Sequence, residues 1–94
     1  MNSHPIIFRI HAVQRMFERK ISVEAVRQVL QSGEMIEDYS EDMPDPGGLL
    51  SARPGQRPLH VVTAEDTQAG ARVVITVYEP NPAQWKAGFR SRKE

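Results

Sequence analysis

His60 sits in the alternating run Leu59 to Ala64, and a second such run, Arg72 to Tyr78, follows after a short loop. Alternate side chains of a strand face opposite ways. Leu59, Val61, Val73, Ile75 and Val77 are therefore expected to line a core, with His60, Thr76 and Tyr78 on the other face. Symmetric closure of the loop pairs Ala64 with Arg72 and His60 with Thr76, and leaves Tyr78 diagonal to His60. The turn Pro54-Gly55-Gln56-Arg57 folds the preceding run, Gly48 to Arg53, onto the same sheet and sets Ser51 opposite His60. An imidazole in that company can titrate near neutral pH, take a proton from a hydroxyl or donate to an oxyanion. With Arg53 and Tyr78 on the same surface, and Arg90 and Arg92 of the tail able to join them, His60, Arg53 and Tyr78 are the candidate catalytic set. The competing reading is a structural histidine bonded to Ser51 or Thr76. A one-residue slip in register would send the whole set to the opposite face.

A second cluster, His11, Arg15 and Arg19, is spaced by four, which keeps the three within about 80° of one another around a helix. Two guanidiniums and an imidazole on that spacing can contact consecutive phosphates, and with Arg90 and Arg92 they are the candidate RNA-binding residues. The plainer alternative is a solvated face on which Glu18 pairs with Arg15. No metal or cofactor is expected: His4, His11 and His60 lack ligand spacing, and the acidic run Glu37 to Asp42 lacks the alternation and glycine of a calcium loop. Pro46-Gly47-Gly48 has no Lys-Ser/Thr continuation and reads as a turn.

The elements that must position these groups follow from periodicity. Arg9 to Lys20 reads as a helix with Val13, Met16 and Phe17 toward the core and Ile10 at its flank. A second helix starts at Ser22 as N-cap, carries Val23, Val26, Val29 and Leu30, and ends at Gly33, where a left-handed C-cap is expected. Glu34 to Tyr39 reads as a strand and Ser40 to Gly48 as a loop. The three runs Gly48–Arg53, Leu59–Ala64 and Arg72–Tyr78 form an antiparallel meander, and Ile6 to Phe8 can add an edge strand after Pro5. Trp85 and Phe89, at i and i+4, suggest a short C-terminal helix or a packing tail. The fold expected is α+β, a single domain over residues 1–94, with two N-terminal helices on one face of the meander and the mixed face open.

Composition narrows the function. Twelve basic and twelve acidic residues cancel, which disfavours broad affinity for nucleic acid or anionic membrane. The charges are segregated, however. Residues 1–33 carry five basic and two acidic groups, Glu34 to Asp45 six acidic and none basic, and Pro46 onward seven basic and four acidic. There is no cysteine, and no apolar run is long enough for a signal peptide or membrane span, so a soluble cytoplasmic protein is expected.

Four strings carry a family resemblance: His11-Ala12-x-x-Arg15-Met16-x-x-Arg19-x-Ile21-Ser22-x-Glu24-x-Val26, Gly33-Glu34-x-Ile36-Glu37-x-Tyr39, Pro58-Leu59-His60-Val61-Val62, and Ile75-Thr76-Val77-Tyr78-Glu79-Pro80-x-Pro82-x-x-Trp85. Together they resemble a bacterial domain of unknown function, family 4258. That family looks like a distant relative of the RelE and BrnT ribonuclease toxins of type II toxin–antitoxin pairs. The resemblance implies a metal-independent endoribonuclease with RNA as substrate and an antitoxin protein as partner. It would have His60 relay the proton of an attacking 2′-hydroxyl while Arg53 with Arg90 or Arg92 stabilises charge on the phosphate and Tyr78 stacks on a base or donates to the leaving oxygen. Two other classes stay open. One is a non-catalytic module that pairs with a partner protein or a second copy through an edge strand; the other is a helix-turn-helix using Arg27, Gln28 and Gln31.

Overall fold

A computed structural model describes residues 5–39 and 47–93 of the chain. The elements run β1 (Ile6–Phe8), α1 (Ile10–Arg19), α2 (Val23–Ser32), β2 (Glu34–Asp38), β3 (Gly47–Ala52), a 3₁₀ turn (Pro54–Gln56), β4 (Leu59–Asp66) and β5 (Ala71–Tyr78). The five strands form one sheet in the order β1-β5-β4-β3-β2. It is a mixed sheet and not a pure meander, because β1 runs parallel to β5, with Ile6 beside Arg72 and Phe8 beside Val74. Most of the loop expected over Ser40 to Gly48 lies outside the described residues, and β3 already begins at Gly47.

Ser22 caps α2 as expected, its hydroxyl accepting from the Ala25 amide at 3.0 Å. Gly33 does not take the left-handed conformation; it is extended at φ −70°. A side chain is excluded there for another reason, since a Cβ would lie 2.4 Å from the Val29 carbonyl oxygen. The left-handed cap belongs instead to Lys20, φ 56°, at the end of α1. Strain at this non-glycine cap is offset by Arg57, which donates to the carbonyls of Lys20 at 2.8 Å and Arg19 at 2.6 Å and also pairs with Glu79.

Both helices lie on one face of the sheet. The core there joins Ala12, Met16, Ile21, Val26 and Val29 to Leu50, Leu59, Val61, Val74 and Val77. Each large side chain so buried contributes about 1.5–3 kcal/mol. Two expectations fail. On α1 the buried residues are Ala12 and Met16, whereas Val13 and Phe17 face solvent. The apolar side chains Ile10, Val13, Phe17, Met16 and Ala12 span roughly 160° of a helix at 100° per residue, more than one contact face can cover. In β5 a bulge shifts the register between Val62 and Thr63 of β4, so that Val74 replaces Val73 and Ile75 in the helix-covered core.

The same bulge re-registers the neighbours of His60. Ser51 pairs with His60 as expected, but across β4 and β5 the partner of His60 is Tyr78, not Thr76. The hairpin closes through Thr67 to Gly70, which lengthens β4 by two residues and β5 by one beyond the expected runs. Gly70, φ 64°, makes that tight turn possible.

No helix forms in the described C-terminal tail. The tail doubles back on itself, with the Lys93 amide on the Gln84 carbonyl at 2.8 Å, the Lys86 amide on the Ser91 carbonyl at 2.9 Å, and a bridge between Trp85 and Arg92. Gly88 at φ 86° and Phe89 at φ 59° turn the chain, a conformation that breaks a helix between Trp85 and Phe89.

Candidate functional site

The tail covers the sheet face that the sequence left open. Trp85 is 2% exposed and His60 is fully buried, 0% exposed. The imidazole meets the indole edge-on with ring centroids 4.4 Å apart, and meets the Tyr78 ring at 5.2 Å. Its Nε2 lies 2.8 Å from the Phe89 carbonyl oxygen and its Nδ1 lies 3.2 Å from the Tyr78 hydroxyl. A carbonyl can only accept, so Nε2 carries the proton and Nδ1 accepts from Tyr78. Both ring nitrogens are therefore engaged inside the protein.

Burial pushes the His60 pKa below 6.5, against the opposing effects of the Phe89 carbonyl and Glu37, so the ring is neutral at pH 7. Burial likewise raises the Tyr78 phenol above 10.0, which keeps it a neutral donor. Beside them Glu37 takes a two-pronged contact from Arg92, at 3.0 and 3.5 Å, and accepts from the Tyr39 hydroxyl. The Arg92 hydrogen bond holds the Glu37 carboxyl below 4.5, although burial works the other way. Tyr39 is pushed up to about 12 by burial and then by its bond to Glu37.

The other candidates are placed as follows. Arg53 lies over the Phe89 ring at 5.3 Å, and Arg92 over Trp85 at 4.5 Å. Arg90 pairs with Glu34. His11 is exposed on α1. Arg15 reaches Glu18 at 3.3 Å, the solvated pair anticipated for that face. Tyr78 of β5, Arg53 after β3, and Arg90 and Arg92 of the tail thus gather around or near His60, but each of the three arginines already faces a carboxylate or a ring. Arg15 and Arg19 come together elsewhere, in a concavity of about 460 Å³ between α1 and the end of β5, which Tyr78 and Thr76 also line. His11 does not line it. Arg27, Gln28 and Gln31 are exposed on α2.

Three features escaped sequence reasoning. The Arg57 clip gave no periodic signal, because it joins groups 37 and 38 residues apart. The pairing of tail arginines with β2 carboxylates was foreshadowed only by the segregation of charge. The exposed stripe on α1 did have a signal, the excess width of its apolar arc. Among the described residues no three His, Asp or Glu side chains cluster as metal ligands, and no helix is long and apolar enough to cross a membrane.

Residues 8–79 match the family model described as a domain of unknown function, DUF4258, and the chain belongs to that family. No curated protein and no solved structure matches it. No relationship to the RelE or BrnT toxins is found.

Proposed function

Since the family to which the chain belongs carries no assigned activity, we propose from the geometry that it is a non-catalytic protein-binding module that docks through the outer side of α1. The observation that carries this reading is the row Ile10, Val13 and Phe17, which are 74%, 51% and 86% exposed at i, i+3 and i+7. Large apolar side chains grouped on one helix face mark an interaction surface more often than a solvated one. The partner favoured is a different protein with an apolar ridge and an acidic rim. Arg9 and Lys20 cap the two ends of α1 and flank this row at 100° per residue, so two copies of this chain docked through it would bring like charges together. His60 then serves the fold, holding the tail to the sheet.

The test places a photo-crosslinking residue at position 17, and separately at position 86, in cells that express the chain. A specific adduct at position 17 alone is expected, and the purified partner should bind the wild type at least tenfold more tightly than Phe17→Ser. Adducts with the chain itself, or an equal affinity for both forms, would reject the reading.

A second reading is the metal-independent endoribonuclease of RelE or BrnT type, paired with an antitoxin. It is favoured by one observation: Tyr78, bonded to His60, lines the same concavity as Arg15 and Arg19. In it the ribose 2′-oxygen bonds to the adjacent phosphorus as the bond to the 5′-oxygen breaks. The 2′-proton passes to the Tyr78 oxygen as the phenolic proton moves to His60 Nδ1, and solvent protonates the leaving oxygen. Arg15 and Arg19 would stabilise charge on the phosphate. Cleavage of a long single-stranded RNA in chelator, with and without ribosomes, tests it. Tyr78→Phe should lower the rate at least about a hundredfold, the usual worth of a proton-transfer group; no cleavage by the wild type under either condition retires the reading.

A further inference from the structure

We infer that the concavity between α1 and the end of β5 binds a phosphoryl group. Arg15 and Arg19 enter it from one helix face, one turn apart, over a wall formed by Thr76 and Tyr78 and a rim formed by Asn81 and Gln84. Among the described residues the Arg19 guanidinium has no ion-pair partner, and Arg15 is held only by the exposed Glu18. An exposed pair of that kind is weak and exchanges readily. Glu79 is the only carboxylate of the lining, and it is occupied by Arg57. The lining therefore presents two guanidiniums against one carboxylate, and that carboxylate is already paired.

Neutral donors complete it. The Asn81 side-chain oxygen accepts from the Ala83 amide at 2.9 Å, which leaves the Asn81 NH₂ as its remaining polar group. The Gln84 amide and the Thr76 hydroxyl add further donors. Two guanidinium forks with three neutral donors outnumber what the two oxygens of a carboxylate can satisfy, and suit the three terminal oxygens of a phosphate monoester. The concavity, about 460 Å³, also has room for more than a bare phosphate, within the usual size of small-molecule sites. A mononucleotide is the class of ligand that fits both the charge and the volume. This inference shares its concavity with the second reading above but needs none of its chemistry, so binding without RNA cleavage would sustain the one and retire the other.

The experiment is an amide-resolved NMR titration of the full chain with inorganic phosphate and, separately, with adenosine 5′-monophosphate. Saturable shifts at Thr76 to Tyr78 and at the Arg15 and Arg19 side-chain N–H groups are expected, tighter for the nucleotide than for phosphate. Arg15→Ala and Arg19→Ala should each weaken binding at least threefold, and the double variant at least tenfold. Lys86→Ala, which removes a charge from the tail, should leave it unchanged. Equal affinity for the two probes would support the phosphoryl site and overturn the nucleotide assignment. Shifts spread along the basic tail, shifts indifferent to both arginine variants, or no saturation by either probe would overturn the site itself. Circular dichroism of the variants separates lost binding from lost folding, since both arginines are exposed.

Discussion

Replacing His60 by alanine tests whether the tail and the sheet are held together by that ring. The substitution leaves the Tyr78 hydroxyl and the Phe89 carbonyl without their partner in a buried space. An unpaired buried polar group costs about 1–3 kcal/mol, and the lost contact with Trp85 and the void left behind add about 1–2 kcal/mol. Relaxation of the tail recovers part of this, so the net loss should be about 3–5 kcal/mol. For a chain of this length each kcal/mol lowers Tm by about 4–8 °C, which places the fall at roughly 12–40 °C. Trp85 is the only tryptophan and lies against His60, so its fluorescence during urea denaturation reads this region directly. His60→Gln, which can keep one of the two hydrogen bonds, should lose about half as much. A loss below about 1 kcal/mol for His60→Ala, with an unchanged slope against urea, would refute the structural role.

Four further outcomes follow from the same geometry. The buried imidazole has its pKa below 6.5, so as pH falls the unfolded chain takes up this proton first. Stability should be flat in this respect above about pH 6.5 and decline below it by up to about 1.4 kcal/mol per pH unit until the folded ring titrates, a slope that His60→Gln should abolish in denaturation curves. The Glu37 carboxyl lies below 4.5 in the folded chain, so its contribution is present above that pH and lost as pH falls through the lowered value; Glu37→Gln should flatten the acid limb of the same curves. Lys20→Gly should raise stability by up to about 1 kcal/mol, because glycine takes the left-handed cap without strain, and a lower Tm would contradict the assignment of strain there. Gly48→Ala should destabilise by about 1–3 kcal/mol, since the added carbon meets the Glu37 carbonyl oxygen at 2.6 Å and the Met35 side chain at 2.9 Å; an unchanged Tm would show that β2 yields.

Local signals carried the helices, the strands and the pairing of Ser51 with His60, because each rests on periodicity, a cap or a tight turn. What they could not carry was the depth of burial. Whether His60 faces solvent depends on where the tail lies, and the tail is placed by contacts that span 29 residues to Phe89 and 55 to Glu37. The Trp85 and Phe89 spacing suits a helix as well as a hairpin, and only the turn at Gly88 and Phe89 decides between them. The bulge in β5 was equally hidden. It exchanges Val74 for Val73 and Ile75 without changing the composition of the strand, so no propensity marks it.

The segregated charges find their explanation in this placement and bear on function. Arg90 pairs with Glu34 and Arg92 with Glu37, so the acidic stretch around β2 and the basic tail, far apart in sequence, neutralise each other in space. A polyanion approaching the tail would have to displace these carboxylates as well as find the arginines. The cations of α1 are in a different position. Arg15 has a weak partner and Arg19 has none among the described residues, and both border a concavity. Weakly paired or unpaired guanidiniums therefore line a concavity beside α1, the same helix whose other side exposes Ile10, Val13 and Phe17. On this fold α1, and not the face around His60, carries the surface chemistry left over once the structure has satisfied its own polar groups.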